Sequence, residues 1–177
     1  MALEIETKLK IDSLEPLRQR LILANAQFVG DVVQQDDYYD DTLHRMLKSD
    51  RCLRVRKESD SRGDMTILFY KGPKHPSKMK VRDELKVAVS DGQALAEILT
   101  ALGYKKALTV HKKRGMWQMD GCIVCLDEVQ GLGSFVEIEG PDEQAILDVQ
   151  RSLGLEGLAH IGKGYAAMLA AKAKAGD

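Results

Sequence analysis

Leu3-Glu4-Ile5-Glu6-Thr7-Lys8-Leu9-Lys10-Ile11 decides how the rest of the sequence is read. With a period of two, Leu3, Ile5, Thr7, Leu9 and Ile11 fall on one side of a strand, and Glu4, Glu6, Lys8 and Lys10 on the other. The first side is an ordinary core face. The second opens with two carboxylates about 7 Å apart, two residues at ~3.3 Å each. Carboxylates that close repel unless a cation sits between them. The charged side is therefore either a solvated outer face or the lining of a site, and the other strands decide which.

Extended runs are expected at 27–40, 51–58, 64–71, 81–89, 105–118, 122–128 and 133–139, which with 3–11 make eight strands. Helices are expected after the Ser13 cap with Pro16 in the first turn, over 91–102 ahead of Gly103, from Pro141 to Gly154, and over 163–175. Residues 41–50 and the stretch GPKHPSKMK (72–80) read as polar loops. A strand leading into a helix and a second strand occurs twice, at LEIETKLKI and at VRDELKVAV, so the chain reads as two similar halves facing one another.

One-sided charge recurs from strand to strand. Arg54 and Arg56 alternate with Leu53 and Val55; Arg82, Glu84 and Lys86 share a face, as do Lys112 and Arg114. Phe135, Glu137 and Glu139 oppose Val136 and Ile138, and Asp127 aligns with Ile123 and Cys125. Lys71 lies off the parity of Thr66, Leu68 and Tyr70, so an inward Lys71 is expected to need a bulge near Gly72. Helices with apolar stripes need an apolar sheet face to cover. If they dock outside a closed sheet, the charged faces must line its lumen. Unpaired ions in a dry lumen would cost several kcal/mol each, so the bore is expected to be a wet tunnel built for a charged ligand. Its basic side chains suit an anion with many oxygens, and its acids suit a hard divalent cation.

The chain has 177 residues, 44% hydrophobic and 30% charged, with a formal net charge of −1. This fits a single domain over 1–177 and gives no electrostatic reason for wholesale nucleic-acid binding. No apolar run reaches membrane-span length and no signal-peptide pattern opens the chain, so a cytoplasmic protein without membrane association is expected. Cys52, Cys122 and Cys125 make no disulfide framework; Cys122 and Cys125 stand three apart on a strand and face opposite sides, against a zinc or redox pair. His44, His75, His111 and His160 fall in loops or on exposed parity, which excludes the usual nucleophile–base constellations.

Taken in order, E-x-E-x-K at 4–8, D-x-Y-Y-D at 36–40, LRVR at 53–56, YKGP at 70–73, R-x-E at 82–84, K-x-R at 112–114 and LDEVQGLGSFVEIE at 126–139 resemble the CYTH superfamily, or triphosphate tunnel metalloenzymes. Its members include class IV adenylyl cyclases, thiamine triphosphatases and inorganic triphosphatases. The resemblance spans residue 3 to about 140, with a fainter echo at Tyr165. It implies an α+β fold: a closed eight-stranded antiparallel β-barrel, or tunnel, with helices packed on the outside. It further implies metal acids at Glu4, Glu6 and Glu137 with Asp127 and Glu139 beside them, and triphosphate contacts from Lys8, Arg54, Arg56, Lys71, Lys112 and Arg114. Arg82 is expected among the triphosphate contacts too; it and Glu84 belong to the family's R-x-E-x-E, but its last position is Lys86 here, which weakens the case for that strand and leaves Lys86 without a role.

The expected reaction is phosphoryl chemistry with Mg²⁺ or Mn²⁺, two ions in all, and Glu4, Glu6, Lys8 and Glu137 as the catalytic set. Absence of the arginine in E-x-E-R-K, the KGP turn and the late Gly164-Tyr165 favour the class IV cyclase branch, which turns ATP into cyclic AMP and pyrophosphate. Hydrolysis of thiamine triphosphate or tripolyphosphate is the alternative, and a non-catalytic polyphosphate or nucleotide sensor the third reading. A homodimer is a family-level expectation.

Overall fold

In the computed structural model, which describes residues 2–175, the chain runs β1 (Ala2–Lys10), α1 (Glu15–Leu23), β2 (Gln27–Asp41), α2 (Arg45–Lys48), β3 (Cys52–Asp60), β4 (Gly63–Lys74) and β5 (Lys80–Val89). It continues α3 (Gly92–Ala101), β6 (Tyr104–Met119), β7 (Cys122–Val129), β8 (Gly133–Glu139), α4 (Glu143–Ser152) and α5 (Tyr165–Ala175). All eight strands close into one antiparallel barrel in the order β1-β5-β4-β3-β2-β6-β7-β8. The expected fold is therefore the observed one.

β1 closes the sheet by dividing its length. Ala2–Glu6 pairs with Glu84–Lys80 of β5, and Glu6–Lys10 pairs with Glu139–Phe135 of β8. Such an offset is what tilted strands in a closed barrel require. Exchanging β1–β4 for β5–β8 leaves the ring of neighbours unchanged, so the two strand–helix–strand halves occupy equivalent places.

Apolar residues of the strands point outward, beneath helices. Leu17 and Leu21 of α1 and Ile146, Val149 and Leu153 of α4 pack on Leu9, Trp117, Val124, Leu126, Val136 and Ile138. Leu95 and Leu99 of α3 cover Tyr39, Leu53, Val55 and Leu68 on the other flank. Each such side chain taken from water contributes about 1.5–3 kcal/mol. Two helices start on aspartate caps: Asp91 accepts from the Gln93 and Ala94 amides, and Asp142 from that of Ala145.

Helix α5 is placed differently. Tyr165, Met168 and Leu169 pack with Val110, Val129 and Phe135, whose parity is that of Lys112, Asp127 and Glu137. This helix therefore stoppers one mouth of the bore. Other local details depart from the sequence reading. Leu14, not Ser13, is the α1 cap and makes no side-chain cap bond. The expected loop at 41–50 contains the single turn α2, held because Asp40 accepts from the Met46 and Leu47 amides. Gly72, Pro73 and Lys74 extend β4, leaving a shorter loop at 75–79.

Candidate active site

Alternate residues of the strands send charged side chains into the bore, where they divide into three groups. The first is built on β2 and β3. Asp36 accepts two hydrogen bonds from Arg56, at 2.6 and 2.9 Å, and a third from Arg54 at 3.3 Å. Phe69 on β4 lies against both guanidiniums, its ring centre 4.3 Å from Arg54 and 5.3 Å from Arg56. Burial alone would raise the Asp36 carboxyl, but the two arginines outweigh it and hold the group well below the usual carboxylate range.

The second group sits where β1, β6, β7 and β8 meet. Asp127, fully buried, takes a forked pair of bonds from Arg114 at 2.6 Å each, and the Tyr165 hydroxyl donates to it at 2.8 Å. Lys112 approaches the same carboxylate at 3.5 Å. Glu137 pairs with Lys8 at 3.1 Å and with Arg114. The Lys8 ammonium also lies 3.8 Å from the centre of the Tyr165 ring. Burial pushes against ionisation of Glu137, yet Lys8, Arg114 and Lys112 keep its carboxyl well below its ordinary value. Lys112 is pushed down to about 8, first by burial and then by the Arg114 charge, despite Asp127.

Acids dominate the third group. Glu6 lies directly opposite Glu139 in the β1–β8 ladder and is bonded by Lys80 across the β1–β5 ladder. Lys71 bridges Glu4 at 2.6 Å and Glu84 at 2.9 Å. Burial pushes Glu6 up, but Lys80, Lys71 and Lys8 together keep its carboxyl below the ordinary value. Glu139 moves the other way, raised by burial and then by Glu4, Glu6 and Glu84.

As they stand, no three His, Cys, Asp or Glu side chains among the described residues are arranged to hold a metal ion. The reason is visible in the pairing: Glu4, Glu6 and Glu137 each turn to a lysine or arginine. The donor chemistry nevertheless fits a hard divalent cation, being carboxylate oxygen throughout. The raised Glu139 carboxyl records the same surplus of negative charge, with lysine ammoniums supplying the opposite charge in its place.

Of the residues singled out from sequence, Glu4, Glu6, Lys8, Arg54, Arg56, Lys71, Lys112, Arg114, Asp127, Glu137 and Glu139 lie on inward parity of the bore. Lys71 gets there without a bulge. It shares the parity of Phe69 in unbroken register with Cys52 and Glu84, and the irregularity comes after it, between Lys71 and Lys74. Arg82 is spent differently: it donates to the Asp50 and Gly72 carbonyls at 2.7 and 2.8 Å and to the Asp50 carboxylate at 2.7 Å, tying the turn before β3 to the end of β4. Lys86 is exposed. Sequence reasoning quoted Asp36 only as the start of D-x-Y-Y-D and gave it no role, did not single out Lys80, and left Glu84 unassigned. Parity was the available signal, since Asp36 lies opposite Arg56, and Lys80 lies two residues before Arg82.

Comparison with known proteins agrees with this geometry. The family model for the CYTH domain matches residues 2–165. Over 137 residues, 77% of this chain and 76% of the relative, the chain is 29% identical to MJ0240 of Methanocaldococcus jannaschii, named as a candidate adenylate cyclase. It is 25% identical over 146 residues to adenylate cyclase CyaB of Aeromonas hydrophila, covering 81% of this chain and 72% of that protein. Among solved structures, PH1819 of Pyrococcus horikoshii superposes with a TM-score of 0.85 at 29% identity, covering 96% of this chain and 99% of that one. HpAC1 from Hippeastrum, described as a candidate adenylyl cyclase with a dominant triphosphatase activity, shares the fold at 14% identity with a TM-score of 0.73, covering 97% and 96% of the two chains. A charged bore inside a closed sheet, and a family match running almost the length of the chain, lead to one statement: this chain belongs to the CYTH domain family.

Proposed function

We propose that this protein is a divalent-metal-dependent enzyme acting on triphosphates in its bore, converting ATP to cyclic AMP and pyrophosphate. The observation that carries the reading is the internal pairing. Asp36 pairs with Arg54 and Arg56, Asp127 and Glu137 with Arg114, Lys112 and Lys8, and Lys71 and Lys80 with Glu4 and Glu6. Buried ions need partners, and a triphosphate entering with a cation offers each set a new one. Phosphate oxygens take the arginines, whose planar fork suits them, and carboxylates take the cation.

Glu4, Glu6, Glu137 and Glu139, with Asp127 close by, would hold Mg²⁺ or Mn²⁺. Bound there, a divalent ion supplies charge neutralisation on phosphate oxygens and lowers the pKa of an attacking hydroxyl or water. The protein's own contribution is positioning. Arg54, Arg56, Lys112 and Arg114 fix the chain of phosphates, and Lys8 stands between them and the acids. In the cyclase reaction the ribose 3′-oxygen bonds to the α-phosphorus, the bond from that phosphorus to the β-phosphate oxygen breaks, and pyrophosphate leaves. The names of the relatives MJ0240 and CyaB support this outcome. Three unpaired thiols, Cys52, Cys122 and Cys125, accord with a cytoplasmic enzyme.

Hydrolysis is the second reading, with water attacking the γ-phosphorus, and the triphosphatase activity described for HpAC1 favours it. Incubation with ATP, thiamine triphosphate and tripolyphosphate, each with Mg²⁺ or Mn²⁺, followed by product identification, separates the two. Cyclic AMP and pyrophosphate are expected from ATP. Phosphate release from tripolyphosphate without cyclic AMP would replace the cyclase reading with the hydrolase one.

A further inference from the structure

The barrel wall has a gap beside the acids. The β1–β5 ladder ends at Glu6 opposite Lys80, so β1 runs on from Thr7 with no β5 partner on that side. The segment 160–163 partly fills the place: the Ile161 amide donates to the Lys8 carbonyl at 2.8 Å, and His160 Nδ1 lies 2.8 Å from the Thr7 hydroxyl. Between this segment and the 75–79 loop a cavity of about 280 Å³ remains, reaching from the surface to Glu6 and Lys8. That volume is close to the lower end of small-molecule sites, ~300 Å³.

We infer that this lateral cavity holds the organic, heteroaromatic part of the substrate and sets which triphosphates are accepted; the inference rests on the triphosphate reading above. Pro76, Met79 and Ile161 supply apolar wall against which a ring can lie, Ser77 and His160 supply uncharged polar atoms, and Lys74, Lys78 and Lys80 bring positive charge to the same lining. Lys8 at its inner end is where such a group would join the phosphates. None of Arg54, Arg56, Lys112 or Arg114 lines the cavity, so an inorganic triphosphate gripped by those residues lies beside it rather than in it.

Gly162 gives the test. It lines the cavity, its φ lies outside the left-handed region, and a side chain there meets nothing within 4 Å of its Cβ. Gly162→Phe adds bulk at one lip of the cavity, Gly162→Ala is the graded control, and Lys78→Phe adds bulk at the opposite lip. Calorimetric binding and KM are measured with ATP and with tripolyphosphate, each with Mg²⁺. Gly162→Phe and Lys78→Phe are expected to weaken ATP about tenfold or more while tripolyphosphate is unchanged, which also certifies the fold. Gly162→Ala is expected to match the unaltered protein. Equal weakening of both ligands, or of neither, overturns the cavity assignment alone. If neither ligand binds the unaltered protein, the triphosphate reading falls and the cavity assignment with it.

Discussion

The two sides of the bore carry opposite balances of charge. At the β2–β3 side one carboxylate, Asp36, is shared by Arg54 and Arg56, and the local sum is positive. Where β1 meets β5 and β8, Glu4, Glu6, Glu84 and Glu139 face only Lys71 and Lys80, and the sum is negative. The arginines and Glu6 are buried, Glu4 and Glu84 are half-buried and Glu139 reaches solvent, so a ligand of the right sign recovers free energy chiefly at the buried ions. A polyanion held with a divalent cation is polarised in the matching sense. An anion alone would be attracted to one side and repelled by the other.

This contrast can be broken most severely at its acidic side. Glu6→Gln is expected to lower kcat at least about a hundredfold, with the circular dichroism spectrum unchanged, because one carboxylate of the proposed metal set is lost. Activity within a few fold of the unaltered protein would remove Glu6 from the metal set.

Asp36→Asn attacks the cationic side. It leaves two buried arginines without their counter-ion and is expected to cost about 3 kcal/mol of stability in chemical denaturation. Tripolyphosphate should then raise the melting temperature of the variant more than that of the unaltered protein, since the ligand now supplies the missing charge. The sign of the acid dependence follows too. Asp36 titrates below its unfolded value, so its stabilisation is complete above about pH 4 and fades as pH falls toward its folded value. The variant should lack that part of the acid limb.

A smaller effect sharpens the comparison at the junction between the sides. With Lys112 pushed down to about 8, the free protein loses that positive charge as pH rises through 8. KM for a triphosphate is expected to rise above that pH, by about tenfold per unit at most, and Lys112→Arg should flatten the limb because arginine stays protonated. A flat KM in the unaltered protein from pH 7 to 9 would separate Lys112 from phosphate binding.

What could be read in advance followed the period of the backbone. Alternation in LEIETKLKI placed Glu4, Glu6 and Lys8 opposite Leu9 correctly, because a side-chain period of two holds wherever a strand is regular. Lys71 shows the reverse risk. Apolar Ile67 and Phe69 look like core, so their parity was read as the outside. In the barrel Phe69 is an inward platform for two arginines, and Lys71 follows it in. Asp36 and Lys80 were missed for a related reason: a side chain whose task is to neutralise a neighbour across the sheet is recognised only when the neighbour is known. Arg82 has the right parity for the bore, but its head is drawn off by the backbone carbonyls of Asp50 and Gly72, which no local pattern announces.

One feature of the ring couples assembly to competence. The last stave to be fitted, β1, joins neighbours some 75 and 130 positions away along the chain, as in Glu6 with Lys80 and Lys8 with Glu137. It also carries Glu4, Glu6 and Lys8, three of the ions to which the proposed function assigns the chemistry. Contacts that distant form slowly, after nearer hairpins are in place. A partly built barrel would therefore be missing its chemistry along with its seam, and an unfinished chain in the cell would have no power to spend triphosphate.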